Sequence, residues 1–103
     1  MRLKYGNVRT FSEICQRIFA SRAEAKRGEE LALLERAGEI KGLRYQMPFT
    51  LCVKPKITIT LDFVYVEDGE LIYEDVKGVH TRDSRTKLAW LKAKYNIVVK
   101  LIR

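Results

Sequence analysis

The Asp68-Gly69 dipeptide constrains the fold of this chain more than any other feature of its sequence. It separates two segments rich in β-branched and aromatic residues, residues 57–66 and residues 71–77. Asp-Gly favours a two-residue hairpin turn, because both residue types tolerate the positive φ angles that such a turn requires. The two segments are therefore expected to pair as antiparallel strands.

The register of this hairpin decides which acidic side chains meet. With a two-residue turn Asp62 lies directly opposite Asp75, whereas a turn one residue longer places Asp62 against Glu74 or Val76. Strand residues two apart share a face, so Lys77 lies beside Asp75. Facing carboxylates repel and destabilise a sheet unless a cation accompanies them. Two carboxylates beside an ammonium group are suited to holding Mg²⁺ and a phosphodiester together.

The other segments follow two hydrophobic periods. Ser or Thr three residues before Glu forms a capping box that begins a helix, and alternation of apolar with polar residues indicates a half-buried strand. Pro48 within the first such strand indicates a sheet edge or a bulge. The expected elements are a short helix in an N-terminal extension (1–20), a helix over 21–37 that either starts anew or continues the first one, strands over 43–53, 57–66 and 71–77, a helix from Asp83 or Ser84 to Tyr95, and a strand over 97–102.

Length and charge limit the classes of function. With 103 residues the chain is expected to form a single domain, 1–103, whose core spans 21–103. The formal net charge of +7 favours polyanionic partners, of which nucleic acid is the commonest. The sequence contains neither an apolar stretch of membrane-spanning length nor the apolar core of a signal peptide. We therefore expect a cytoplasmic protein with no membrane partner.

The α-β-β-β-α-β order, with an acid late in the second strand and acid-x-Lys ending the third, resembles the PD-(D/E)XK nuclease superfamily. Several segments are similar to a group of small phage and prophage proteins in that superfamily. These segments are Ser21-Arg22-Ala23-Glu24, Gly38-Glu39-Ile40, Gln46, Asp62-Phe63-Val64-Tyr65 and Glu74-Asp75-Val76-Lys77-Gly78. The resemblance spans roughly residues 20 to 103. It implies an α/β fold with a restriction-endonuclease-like core, in which helices flank a mixed central sheet, and a location in the bacterial host cell if a phage encodes the chain.

The resemblance also implies roles for individual residues. Asp62 and Asp75 match the two acids of the motif, Lys77 matches its lysine, and Glu24 matches the helical glutamate that often completes the metal site. The implied ligands of Mg²⁺, for which Mn²⁺ substitutes, are Asp62, Asp75, Glu24 and the backbone carbonyl of Val76. Lys77 would orient or deprotonate the attacking water, or stabilise the charge that develops on the phosphate. No small-molecule cofactor is implied.

One departure from the motif and two alternative assignments remain at these positions. Leu61 replaces the proline that names the motif, which costs specificity in the match but no ligand. Glu74 is the alternative second acid, although the one-residue spacing before the lysine selects Asp75. Glu24 is also explained by the third position of a capping box, and Glu30 is then the substitute ligand.

A second group of residues is expected to contact nucleic acid. Arg82, Arg85 and Lys87 flank the start of the second long helix, where cations and a helix N-terminus can receive a phosphate backbone. Gln46 would touch the substrate or a ligand water, and His80 would contact phosphate. The alternatives are an exposed strand glutamine and a solvated loop histidine.

These observations together predict a metal-dependent endonuclease that hydrolyses phosphodiester bonds in DNA. No element is suited to reading bases, so selection of DNA structure, such as a junction, is expected rather than selection of sequence. A homodimer would compensate for the small surface of one domain. The alternatives are a nucleic-acid-binding module that has lost cleavage and an interaction subunit with the same fold.

Overall fold

The computed structural model describes residues 8–76 and 81–102. Those residues form the strands β1 (Thr10–Ser12), β2 (Arg17–Phe19), β3 (Lys41–Cys52), β4 (Ile57–Glu67), β5 (Glu70–Val76) and β6 (Val99–Ile102), and the helices α1 (Arg22–Arg36) and α2 (Arg82–Tyr95). β1 pairs only with β2, and the other strands form a four-stranded sheet in the order β3-β4-β5-β6. β6 runs parallel to β5 and the other neighbours are antiparallel, so the chain is an α/β protein with a mixed sheet.

The hairpin β1–β2 replaces the short helix that we predicted within residues 1–20. Cross-strand pairs join Thr10 to Phe19 and Ser12 to Arg17, so the local period is two rather than 3.6. Thr10, which begins the capping-box pattern, instead donates its hydroxyl to the Val8 carbonyl at 2.8 Å. The buried Ser12 hydroxyl donates to Glu29 Oε2 at 2.6 Å. The hairpin thereby lies against α1 instead of extending it.

Helix α1 begins and ends where the sequence predicts. The Ser21 hydroxyl accepts a hydrogen bond from the Glu24 backbone N–H at 3.1 Å, and Gly38 follows the C-cap with a φ of 81°. Gly28 faces the hairpin, since a Cβ at this position would lie 2.6 Å from Cζ of Phe19. A glycine therefore allows β2 and α1 to approach this closely.

The β4–β5 hairpin has the predicted two-residue turn. Asp68 and Gly69 both adopt positive φ angles, and Glu67 pairs with Glu70. The ladder continues without a shift to its last pair, Phe63 with Glu74. The next step outward brings Asp62 to Asp75, as the shorter turn predicts.

The two helices cover opposite faces of the sheet. Leu31 of α1 belongs to a cluster with Ile72 packed against it, whereas Leu91 of α2 belongs to a cluster with Tyr73 packed against it. Ile72 and Tyr73 are neighbours on β5, and successive side chains of a strand point to opposite faces. The described part of the chain therefore has three layers, helix, sheet and helix.

Strands β3 and β4 exchange faces halfway along their length. Phe63 packs in the α1 cluster and Leu61 in the α2 cluster, although two residues so spaced share a face in a regular strand. The partner strand changes in the same way between Tyr45 and Met47, which pair with Phe63 and Leu61. Gln46 has a φ of 52°, so the change of face coincides with a left-handed residue beside Asp62.

The C-terminal elements differ from the prediction in detail. Thr81, rather than Asp83 or Ser84, caps α2, and its hydroxyl accepts from the Ser84 backbone N–H at 3.1 Å. The helix ends at Tyr95 as predicted, with Asn96 as its C-cap. β6 begins at Val99 rather than at residue 97, and it is an edge strand in which Lys100 and Leu101 are exposed. Neither α1 nor α2 is both long and apolar enough to cross a membrane.

Candidate active site

Asp62 and Asp75 contact each other where β4 and β5 stop pairing. The backbone N–H of Asp62 donates to Asp75 Oδ1 at 3.2 Å, and the backbone N–H of Val76 donates to Asp62 Oδ2 at 2.8 Å. Each carboxylate is thus oriented by the main chain of the opposite strand. Asp75 is only 2% exposed, and Asp62 is partly buried.

Gln46 links this pair to helix α1. Its side-chain Nε2 donates to Asp62 Oδ1 at 3.0 Å and to Glu24 Oε2 at 2.9 Å. Glu24 is 6% exposed, three residues after the N-cap of α1. Glu30, the alternative ligand, instead has an exposed side chain 3.7 Å from Arg27. The structure therefore brings Glu24, and not Glu30, to the aspartate pair.

Burial and the neighbouring carboxylates both oppose ionisation of Asp62. Burial, the hydrogen bond to Asp75 and the charge of Asp75 together raise the pKa of Asp62 to about 7. The backbone N–H of Val76 acts in the opposite direction, while the charge of Glu24 adds to the increase. Asp62 consequently loses its proton only near neutral pH when no cation is present.

Glu74 lies on the other face of β5 and belongs to a different network. Arg27 of α1 donates to both of its carboxylate oxygens at 2.8 Å, and the Tyr65 hydroxyl donates to Oε2. Although burial acts to raise the pKa of Glu74, these hydrogen bonds hold it below its ordinary value. The fully buried Glu74 carboxylate, which accepts two hydrogen bonds from Arg27, joins β5 to α1. Asp75 is therefore the acid that faces Asp62.

A groove of about 320 Å³ opens beside Asp62. Glu24, Gln46 and Asp62 line it together with Arg9 and Arg17 of the N-terminal segment. The sequence predicts no site role for either arginine, and the apparent capping box before Arg17 favours a helix there. Ile18 and Phe19, a β-branched and an aromatic residue directly after Arg17, are the signal that favours a strand.

The predicted nucleic-acid contacts are only partly brought together. Gln46 is in the site, but Arg82, Arg85 and Lys87 lie on the first turns of α2, where Lys87 approaches Asp83 to 3.7 Å. Arg82 and Arg85 are exposed. Lys77 and His80 lie outside the described residues, so their predicted roles stay predictions.

Within residues 8–76 and 81–102, no three acidic, histidine or cysteine side chains form a metal-binding cluster. The amide of Gln46 stands between Glu24 and Asp62, which explains why those two carboxylates do not converge. The oxygen donors of Asp62 and Asp75 nevertheless suit a hard cation, and their repulsion is what a cation would relieve. The donor set therefore fits Mg²⁺ at the aspartate pair.

Comparisons with known proteins place the whole described chain in one family model. A model described as "Protein of unknown function (DUF1064)" matches residues 2–102. No curated protein and no solved structure matches the chain. The match spans the hairpin β1–β2 as well as the sheet and both helices.

Proposed function

We propose that this chain, which belongs to the DUF1064 family of proteins of unknown function, is a metal-dependent endonuclease that hydrolyses DNA phosphodiester bonds. The observation that carries the proposal is the contact between Asp62 and Asp75 at the end of a strand pair. A buried aspartate pair with mutual repulsion is costly to a fold. Retaining it is reasonable where the pair binds a cation.

The finer fold assignment, a restriction-endonuclease-like core, is part of the same proposal. It is supported by the order α1-β3-β4-β5-α2-β6 and by the parallel pairing of β5 with the edge strand β6. The helices on both faces agree with it. The aspartate pair also lies where the ladder between the central strands β4 and β5 ends, with Asp75 next to the last residue of β5.

The residues that would hold Mg²⁺ or Mn²⁺ are Asp62 and Asp75, with the carbonyl of Val76 as a third donor. A bound divalent cation supplies a more acidic water and neutralises charge on the phosphate. Glu24 reaches this group through Gln46 rather than directly. We therefore propose that Glu24 binds a water molecule that is a ligand of the cation, or that it becomes a direct ligand after its hydrogen bond to Gln46 is broken.

The chain itself orients the acids before any substrate arrives. The backbone N–H groups of Asp62 and Val76 each hold one carboxylate of the pair in place. The Gln46 amide keeps Glu24 and Asp62 apart and donates toward the groove. Lys77, two residues after Asp75, retains its predicted role of orienting the water or stabilising charge on the phosphate.

The substrate class follows from charge and size. A net charge of +7 favours a polyanion such as DNA, and the groove of about 320 Å³ has room for a short segment of one strand. We propose a structure-selective substrate such as a branched DNA, with a homodimer presenting two grooves. Arg82, Arg85 and Lys87 would then contact backbone phosphates outside the groove.

The test is cleavage of supercoiled plasmid and of a four-way junction with Mg²⁺ or Mn²⁺. Asp75→Asn is expected to lower the cleavage rate at least about a hundredfold, because it removes a ligand of the catalytic cation. Asp68→Asn is the matched control, since it makes the same change at an exposed turn position that asparagine tolerates.

Three outcomes separate the proposals. Cutting that requires the cation and Asp75 supports the nuclease, and the preferred DNA identifies the structural selectivity. Salt-dependent DNA binding without cutting by the wild type contradicts the nuclease and supports the binding module. Absence of both DNA binding and cation binding supports the interaction subunit.

A further inference from the structure

The groove beside the aspartate pair is lined by side chains of both charges. Arg9 and Arg17 come from the N-terminal segment, whereas Glu24 and Asp62 come from α1 and β4. The arginines attract an anionic group, whereas the acids attract the cation that the proposed nuclease requires. A ligand of this groove therefore places an anionic group at the arginines.

Arg17 is held in place before any ligand binds. Its guanidinium carbon lies 4.4 Å from the ring centroid of Tyr45 and 5.7 Å from that of Phe19, both within cation–π range. Tyr45 pairs with Phe63, next to Asp62 on β4. Arg17 thus reaches the site from a stacked position on the sheet, which lowers the entropy lost when it binds a ligand.

The Arg17 guanidinium also has an unused hydrogen-bond donor. Its buried Nε has no acceptor among the described residues. Arginine carries five N–H donors in a planar fork that matches phosphate oxygens. A buried donor of this kind costs free energy unless an acceptor arrives, so the geometry favours an incoming anion.

From these observations we propose that Arg17, assisted by Arg9, binds a backbone phosphate of the DNA strand next to the one at the aspartate pair. This inference rests on the proposed nuclease function and extends it, because it identifies the hairpin β1–β2 as the element that positions the strand. The DNA strand would lie along the groove with one phosphate at Arg17 and Arg9. Its neighbouring phosphate would then lie at Asp62 and Asp75, where a bound cation would neutralise the acids.

A purely structural role for Arg17 makes a different prediction. If the guanidinium only packs on Tyr45, its loss lowers stability and leaves the ionic component of DNA binding unchanged. If it binds a phosphate, its loss removes one released counterion, and the salt dependence of binding becomes shallower. The slope of affinity against salt concentration therefore distinguishes the two roles.

The experiment measures binding of a labelled single-stranded DNA oligonucleotide to the full chain in EDTA, across a series of salt concentrations. Arg17→Met keeps an apolar stem against Tyr45 and removes the charge. We expect it to weaken binding at least about tenfold and to reduce the slope of log affinity against log salt by about 0.7. Arg17→Lys is expected to keep the slope, because it keeps the charge.

Arg36→Met is the matched control. Arg36 is exposed at the far end of α1, about 18 Å along the helix from Glu24, and donates to the Ile14 carbonyl at 3.0 Å. Arg36→Met therefore removes the same charge and one hairpin contact outside the groove, and it is expected to change affinity less than about twofold. Thermal unfolding of each variant checks the fold. If Arg17→Met loses its cooperative transition, Arg17→Gln replaces it with the same expected loss of affinity and slope.

The outcomes for this inference and for the nuclease are separable, because binding is measured without cleavage. Equal affinity and equal slope for Arg17→Met and Arg36→Met would overturn the role of Arg17, even if the wild type cuts DNA. If the wild type never cuts DNA and only the Arg17 variants lose affinity for the oligonucleotide, the phosphate site at Arg17 is supported and the nuclease is contradicted.

Discussion

Asp62 is surrounded by groups with opposing effects on its charge. The Val76 N–H and the Gln46 amide stabilise the carboxylate, whereas burial, Asp75 and Glu24 oppose ionisation. The second set prevails, and the pKa of Asp62 rises to about 7. At the scale of single residues, the environment of Asp62 therefore favours its protonated form below about pH 7.

This pKa predicts how the stability of the metal-free protein depends on pH. The folded chain keeps a proton on Asp62 up to about pH 7, whereas the unfolded chain loses it near pH 4. The free energy of unfolding, measured relative to Asp62→Asn, is expected to fall by about 2–4 kcal/mol as the pH rises through that window. Urea unfolding of both proteins at several pH values measures the difference.

Excess Mg²⁺ provides the control, because a bound cation stabilises the ionised form and should flatten the difference between the two proteins. A difference that stays constant from about pH 4 to pH 8 without metal would contradict the assigned environment of Asp62.

Gln46 separates two carboxylates and occupies a left-handed backbone conformation. Gln46→Glu removes the bridging donor and adds a third negative charge, so a loss of about 1–3 kcal/mol in stability is expected at neutral pH without metal. Gln16 is an apt control, since its φ of 55° nearly equals the 52° of Gln46 and its side chain is exposed. Gln16→Glu should cost less than about 1 kcal/mol. Equal losses in thermal unfolding would show that Gln46 does not depend on its acidic neighbours.

Residue-level features were predictable to different degrees. The contact between Asp62 and Asp75 follows from the turn chemistry of Asp68-Gly69, since strand register is a local property. The sequence also suggested Gln46, but its bridge to Glu24 depends on how α1 packs on the sheet. Arg17 was missed, because its role requires the hairpin and Tyr45 to be placed together.

At the scale of elements, α1 and β5 are joined through a buried ion pair. Glu74 has no exposed surface, and Arg27 binds both of its oxygens in a bidentate geometry. Arg27 is one turn from Glu24 on α1, and Glu74 precedes Asp75 on β5. The pair therefore fixes the helix that carries one acid of the site relative to the strand that carries another.

The prediction for this pair is a double-mutant cycle by urea unfolding. Arg27→Met should cost about 3 kcal/mol, because it leaves a buried carboxylate without its cation. Adding Glu74→Gln should recover a large part of that loss. Glu30→Gln, which removes only the exposed partner of Arg27, should cost less than about 1 kcal/mol. Additive losses for Arg27→Met and Glu74→Gln would contradict a coupled pair.

The order of the long elements was predictable, and the start of the chain was not. Periodicity and caps identify α1, β3, β4 and β5, because each is long and has local signals at its ends. Thr10 to Glu13 imitates a capping box, but three-residue strands carry too few positions to show their own period. Docking of the hairpin on α1, across Gly28, decides the outcome there.

At the scale of the whole molecule, a basic chain contains a concentrated acidic group. The net charge is +7, while Gln46 and the backbone of Asp62 link Glu24, Asp62 and Asp75 where β4 and β5 stop pairing. Such a distribution attracts a polyanion to the surface and a cation to the site. The nuclease activity depends on metal binding, and so does any role of the phosphate site at Arg17 in catalysis.

Calorimetric titration of Mn²⁺ into the metal-free chain tests this central claim most directly. The wild type and Asp68→Asn are expected to bind with equal affinity, whereas Asp62→Asn and Asp75→Asn should each bind at least about tenfold more weakly. Unchanged folding of the four proteins is checked by circular dichroism. Failure of the wild type to bind Mn²⁺, or equal binding by Asp75→Asn, would contradict a metal site at the aspartate pair.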